Sequence, residues 1–229
     1  MQKLVFSFLL LVCFLGYGQV QTDTLLVDNK YLEDQFYLGL TYNFLLEKPD
    51  AVSQSNLSYG LQGGLIKDIP LNKERNIAMG LGLGYGYYTY YSNLRALESD
   101  DSFVYDIIED KDDFKRSKVE THMLELPVEF RWRNSNALSH KFWRIYAGVK
   151  FGYVVGGRSK YVPTEGAKIS FYNEDIKRFQ YGPTLNFGYN TFNLHAYYAL
   201  SNLFNDNVGL NGNDLKVHSL RIGLIFYIL

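Results

Sequence analysis

Between Met123 and Arg133 the chain reads MLELPVEFRWR, in which Leu124, Leu126, Val128, Phe130 and Trp132 alternate with a set that holds Glu125, Glu129, Arg131 and Arg133. A period of two is the period of a β-strand, so this stretch has one wholly apolar face and one repeatedly charged face. Such a strand has two homes. In a soluble sandwich the apolar face meets a core and the charged face meets water. In an outer-membrane barrel the apolar face meets lipid and the charges meet their counterions inside.

The rest of the chain separates the two. A formal charge of -1 over 229 residues excludes the basic field expected of a nucleic-acid binder, and the length suits one domain. The 20 Tyr, 16 Phe and 20 Gly supply aromatic and small residues in the numbers that alternating strands need. The opening segment MQKLVFSFLLLVCFLGYGQ places Lys3 before an apolar run over residues 4–15, followed by Gly16 and Gly18. This is the layout of a secretory signal peptide, and the run is too short to span a membrane comfortably. Cleavage is expected near Gly18, with residues 1–18 as signal peptide, 19–35 as a short periplasmic segment and 36–229 as the barrel domain. Cys13 follows Val12 inside the apolar run, where a lipid-modified cysteine would follow a small residue. Loss of the signal removes the chain's one cysteine, and with it disulfide and thiol chemistry.

Eight segments show period-two character: FYLGLTYNFLL (36–46), LSYGLQGGLIKDI (57–69), IAMGLGLGYGYYTY (77–90), VETHMLELPVEFRWR (119–133), FWRIYAGVKFGYVVGG (142–157), FQYGPTLNFGYN (179–190), FNLHAYYAL (192–200) and VHSLRIGLIFYIL (217–229). Each supplies the roughly nine to eleven residues that a tilted strand needs to cross a bilayer. One face is apolar and aromatic throughout; the other carries charges, Thr, Asn and many glycines. A glycine-rich face is a poor water-facing surface but suits the crowded interior of a narrow barrel. The connections alternate long and short along the chain, which is the arrangement of short periplasmic turns and long external loops. The expected fold is therefore all-β, an eight-stranded antiparallel up-and-down transmembrane β-barrel. Pro127 and Pro183 cannot donate to a ladder, and since a closed barrel has no edge a bulge is expected at each.

The last segment, RIGLIFYIL, with Gly223, Phe226 and Ile228, resembles the terminal strand read by the barrel-insertion machinery. With LELPVEFRWR, YAGVKFGYVVGGRSKY and GPTLNFGYN, the chain resembles the PorT-like outer-membrane β-barrel proteins of the Bacteroidota, most sharply over residues 124–133 and 146–161. The resemblance covers most of the mature chain. It implies an outer-membrane location and a barrel fold. Because the founding member is implicated in type IX protein secretion and gliding, it also implies contact with other envelope or secretion-system proteins.

Two groups of residues are candidates for function. Glu125, Glu129, Arg131, Arg144, Lys150 and Arg221 fall on the inner face, where rings of charge can set the selectivity of a pore. They can equally pair with one another across a filled lumen, since eight strands leave room only for side chains and buried charges need partners. The second group lies between the acidic runs ESDD and EDKDD, where Phe103, Val104, Tyr105, Ile107 and Ile108 form an apolar segment in a solvated acidic loop. Such a segment needs cover, from its own barrel or from a partner. The acids lack the ligand spacing and glycine of a calcium loop. His122 near Glu120, and His218, fall toward the external rim without the nucleophile, base and orienting group of a hydrolase, and His195 falls in the lumen. No catalytic, cofactor or metal residue is singled out, and no cofactor is expected. Three functions remain: a non-enzymatic interaction or structural barrel in lipid, a small passive channel, and an outer-membrane enzyme. Conductance distinguishes the second, and a catalytic pair at the rim the third.

Overall fold

The computed structural model describes residues 35–99, 102–110, 112–134, 142–190 and 192–228. The signal peptide, nearly all of the periplasmic segment and Leu229 lie outside these residues. The described strands are β1 (Gln35–Leu46), β2 (Tyr59–Pro70), β3 (Ile77–Tyr91), β4 (Leu94–Ser99), β5 (Ser102–Ile107), β6 (Phe114–Arg133), β7 (Trp143–Pro163), β8 (Ile169–Tyr172), β9 (Phe179–Tyr189), β10 (Phe192–Tyr198), β11 (Gly209–Leu210), β12 (Asn213–Asp214) and β13 (His218–Ile228). Eight of them, β1, β2, β3, β6, β7, β9, β10 and β13, form one ring in which every strand pairs antiparallel with its neighbours in sequence. The ring closes between β1 and β13, from Phe36 opposite Ile228 to Leu46 opposite His218. Closure leaves no unpaired edge, which is what lets strands stand in hydrocarbon.

The faces fall as the alternation requires. Leu124, Leu126, Phe130 and Trp132 are exposed on the outside, while Glu125, Glu129, Arg131 and Arg133 are buried within. From Trp132 to Leu124 the outward residues of β6 rise by about 20 Å along the barrel axis, taking a tilt of about 40°. Aromatic side chains mark both ends of this apolar belt. Trp143 stacks on Phe187 and packs at a tilt against Tyr189 at the short-turn end, at centroid distances of 5.4 and 5.2 Å, and Tyr85, Tyr153 and Tyr181 face outward at the other end.

Inside, glycine makes room for rings. A Cβ at Gly84 would lie 2.0 Å from Tyr37 Oη, and one at Gly86 would lie 2.5 Å from the Tyr88 ring. The Gly80, Gly82, Gly84, Gly86 row of β3 is therefore the floor on which large side chains of β1, β2, β6 and β3 itself lie.

The prolines correct one expectation, because neither sits at a bulge. Opposite Pro127 the β3–β6 ladder lapses at Gly82 and Leu83 and then resumes in the same register. Pro183 keeps register with Val149 on β7 and stands just past Thr184, where the β9–β10 ladder ends. In each case the missing N–H falls where no ladder bond is made, so an extra residue is not needed. Register does shift between His122 and Met123 on β6, above the belt.

The connection after β3 corrects another. Residues 91–118 are not an open acidic loop: β3 runs on to Tyr91, β4 and β5 pair from Leu94 opposite Ile107 to Ser99 opposite Ser102, and β6 begins at Phe114.

These faces generate a test at Val128, which points outward midway along the apolar belt of β6, between Leu124 and Trp132. Val128→Arg should destabilise the barrel by about 2–4 kcal/mol in bilayer refolding, whereas Val128→Leu should be neutral. Equal tolerance of the two would mean that the outward face does not meet lipid.

Candidate functional site: the filled lumen and the platform above it

The inward side chains of the ring gather in two charged layers. The layer nearer the long connections centres on Glu125, whose Oε2 accepts from Lys150 Nζ at 3.0 Å and whose Oε1 accepts from Tyr88 Oη at 2.6 Å. Arg221 Nη1 stands 3.7 Å from the same carboxylate. The Arg221 guanidinium lies over the Tyr88 ring at 3.5 Å and the Tyr197 ring at 4.6 Å, and its Nε donates to Tyr90 Oη at 3.1 Å. Gln62 Oε1 ties the layer together, accepting from Lys150 Nζ and lying 3.0 Å from Tyr88 Oη.

The second layer, nearer the short turns, centres on Arg131. Its Nε donates to Glu129 at 2.9 Å, its Nη1 pairs with Asp68 and donates to Gln35 at 3.2 Å, and its plane faces the Tyr146 ring at 4.4 Å. Arg133 pairs with the other oxygen of Asp68. Glu129 also accepts from Asn186 at 3.1 Å, and Asn186 lies 2.5 Å from His195 Nδ1. Arg144 stands at the edge of this layer over Phe142, at 4.5 Å, and Tyr227, at 5.7 Å, and among the described residues its Nε and Nη1 have no hydrogen-bond partner. Aromatic faces take the place of acceptors there, a cation–π arrangement that strengthens as water is excluded.

All six charged residues expected in the lumen are therefore buried in it, five of them in ion pairs. Sequence reasoning missed Asp68, which clamps two arginines, and passed over Arg133 as a lumen residue. The signal for Asp68 was available: it continues the inward series Gly60, Gln62, Gly64, Ile66 along β2. What the sequence could not show is that β2 lies beside β3 at the height where Arg131 reaches across Gly80.

Above the lumen the long connections build a second core. Leu45, Val52, Tyr90, Leu94, Ala96, Tyr105, Val119, Ile176, Leu203, Phe204, Val208, Leu210, Leu215 and Val217 pack with Met123 and Val154 over the barrel mouth. The apolar segment of the β4–β5 hairpin belongs to it. Tyr105 packs edge-on against Phe204 at 5.5 Å, and its hydroxyl donates to Asn173 at 3.1 Å; burial pushes this phenol well above its ordinary range. Ile108 is buried, Phe103 stacks on Phe171 at 5.3 Å, and Ile107 is partly buried against the same core. Val104 alone of the five is exposed. The cover that the segment needs comes largely from its own chain. Arg95 and Asp106 clamp the hairpin by a bidentate pair, with Arg95 Nε at 2.9 Å from Oδ1.

The rim histidines are held by structural partners. His122 Nδ1 lies 2.5 Å from Tyr85 Oη, and His218 Nδ1 lies 2.9 Å from the Ala199 carbonyl. Among the described residues no group of three or more His, Cys, Asp or Glu side chains is placed to hold a metal ion.

The upper layer can be tested at its one carboxylate. Glu125→Gln strands Lys150 and Arg221 without a counterion, so it should cost about 3–5 kcal/mol in unfolding, and adding Lys150→Met should recover part of that loss. Measured stabilities with no difference between the single and the double variant would show that the pair is not coupled.

A closed ring of eight tilted strands, apolar and belted with aromatics outside and polar within, has relatives. The solved structures similar to it include Ail, the attachment invasion locus protein of Yersinia pestis, at 14% identity over 85% of this chain and 97% of that one, with a TM-score of 0.37. Ail in complex with the heparin analogue sucrose octasulfate matches at 14% identity over 86% and 99% of the two chains, with a TM-score of 0.34. No curated protein matches the chain. The family model described as outer membrane protein beta-barrel domain matches residues 19–205, most of the chain, so the chain belongs to this family of outer-membrane β-barrels.

Proposed function

We propose that the protein is a non-enzymatic, non-conducting barrel that acts by contact, holding a rigid platform of long connections at the membrane surface for other components of the cell envelope. The observation that carries this is the filled interior. Arg131, Arg221, Tyr88 and Tyr146 are each at most 1% exposed, and they stand across the cross-section that a passive channel would need free. The platform supports the reading from the other side. A hydrophobic core of its own holds the long connections in place, as a fixed binding surface requires and a mere set of linkers does not.

The finer form of the proposal is a PorT-like role in the envelope, with type IX protein secretion as the process and other secretion-system proteins as partners. Its support is the likeness of residues 124–133 and 146–161 to that group. In this reading residues 1–18 direct export, and the β13 strand with Gly223, Phe226 and Ile228 is the element presented to the barrel-insertion machinery.

Two outcomes test it. The purified protein should give no stable, reproducible conductance in planar bilayers, and a steady ohmic channel would reject the filled lumen. Val104→Glu, at the exposed hairpin position, should leave the barrel folded while removing an envelope protein from the set crosslinked to it in native membranes. An unchanged set would reject the hairpin as the point of contact.

A further inference from the structure

β6 and β7 do not stop where the apolar belt stops. Leu124 and Tyr153 face each other at its upper edge, and the two strands run on together to Phe114 and Pro163. On the outward face of this extension Glu120 stands opposite Arg158, Lys118 opposite Lys160 and Arg116 opposite Val162. β8 continues the same surface, placing Tyr172 beside Arg158 and Ser170 beside Lys160, with Lys168 immediately before it in the chain.

Cations outnumber anions on this face. Lys118 is committed, since its Nζ pairs with Glu120 and lies 5.3 Å from the Tyr91 ring centre. Arg116, Arg158, Lys160 and Lys168 remain, and none of them forms an ion pair among the described residues. Arg116 and Lys168 are exposed, and Arg158 and Lys160 half-buried. Lys168, Arg116 and Lys118 all act electrostatically on Lys160, with Glu120 acting in the opposite sense. Like charges held side by side on a sheet are destabilising unless an anion joins them.

Their height identifies the anion. Val155 is the last exposed apolar residue of β7. With a rise of about 3.3 Å per residue and a tilt of about 40°, Arg158 stands about 8 Å above it and Lys160 about 13 Å above it. Long cationic side chains reach several ångströms back toward an interface. That is the headgroup layer of the leaflet at the long-loop end, which is the outer one where long connections are external. A protein partner would have to carry its carboxylates into that layer, whereas lipid phosphates are already there. Directly beneath lies a groove of about 370 Å³ with a mixed lining, apolar at Tyr153, Val155 and Tyr172 and polar at Asn173, Glu174 and Arg178. Arg158 spans the two levels, lying over the Tyr172 ring at 4.7 Å.

We propose that the outward face of β6, β7 and β8 above the belt is a binding site for the phosphate groups of outer-leaflet lipids, with Arg116, Arg158, Lys160 and Lys168 as its cations. The site is independent of the contact role proposed above, because it lies on the barrel's outer wall and not on the β4–β5 hairpin.

The test uses the intact protein in neutral detergent, titrated with phosphorylated lipid A and with the same lipid after chemical removal of its phosphates. The phosphorylated form should bind about tenfold or more tightly, since each basic side chain near a lipid surface contributes about 1 kcal/mol. Replacing all four cations by glutamine should remove this preference without lowering the unfolding temperature. Lys67→Gln, on the outward face at the short-turn end, should keep it. Should the fourfold variant not fold, Arg158→Gln with Lys160→Gln, and Arg116→Gln with Lys168→Gln, should each lose about fivefold or more. Equal binding of the two lipids, or a preference that survives in folded variants, overturns the proposal. So does full displacement of the lipid by inorganic phosphate, which would make this a free-anion site.

Discussion

A backbone placed in hydrocarbon has no water to satisfy its N–H and C=O groups, so a sheet can stand there only if it has no edge. The pairing of β1 with β13 meets that constraint here, and most of the structure follows from it. Closing at eight strands fixes a lumen barely wider than the side chains that enter it. In so narrow a space, large rings from one strand need glycines on another, as Tyr37 of β1 needs Gly84 of β3. Charges enter because the inner face must be polar enough to distinguish it from the lipid face. Once inside, they must find counterions or rings, because an uncompensated charge away from water is costly.

The arrangement of those charges is uneven. Among the residues named in the two layers there are three carboxylates, Asp68, Glu125 and Glu129, and five cations, Arg131, Arg133, Arg144, Lys150 and Arg221. The surplus is borne by aromatic faces. Arg221 lies between Tyr88 and Tyr197, and Arg144 lies against Phe142 and Tyr227. In the lumen glycine and tyrosine thus have complementary parts. One kind of residue leaves the space, and the other fills it while facing a cation.

Much of this was legible in the sequence, for a physical reason. A strand between lipid and a polar lumen has a strict period of two, so Leu124 to Arg133 declares both its faces without reference to any other segment. The same rule placed Glu125, Glu129, Arg131, Arg144, Lys150 and Arg221 inside. It is silent where the chain leaves the membrane. Val52, Leu203, Phe204, Val208, Leu210 and Leu215 are isolated apolar residues in polar connections, with no period to mark them, yet they make one core. Tyr105 looked like an apolar residue in want of a partner because its partners, Phe204 and Asn173, come from distant connections. The prolines misled for a related reason. Whether a missing N–H matters depends on which ladder positions bond, and that depends on the register with the neighbouring strands.

Where each charge comes from along the chain bears on how the barrel assembles. Glu125 with Lys150 and Glu129 with Arg131 are pairs internal to β6 and β7, so this hairpin neutralises much of its own charge before other strands arrive. Arg221 is different. It sits on β13, the strand that closes the ring against β1, and it ends between rings carried by β3 and β10. Until β13 docks, Tyr88 and Tyr197 have no guanidinium between them, and Arg221 has neither rings nor carboxylate. Sealing the sheet against β1 and seating Arg221 between its two rings are thus one event.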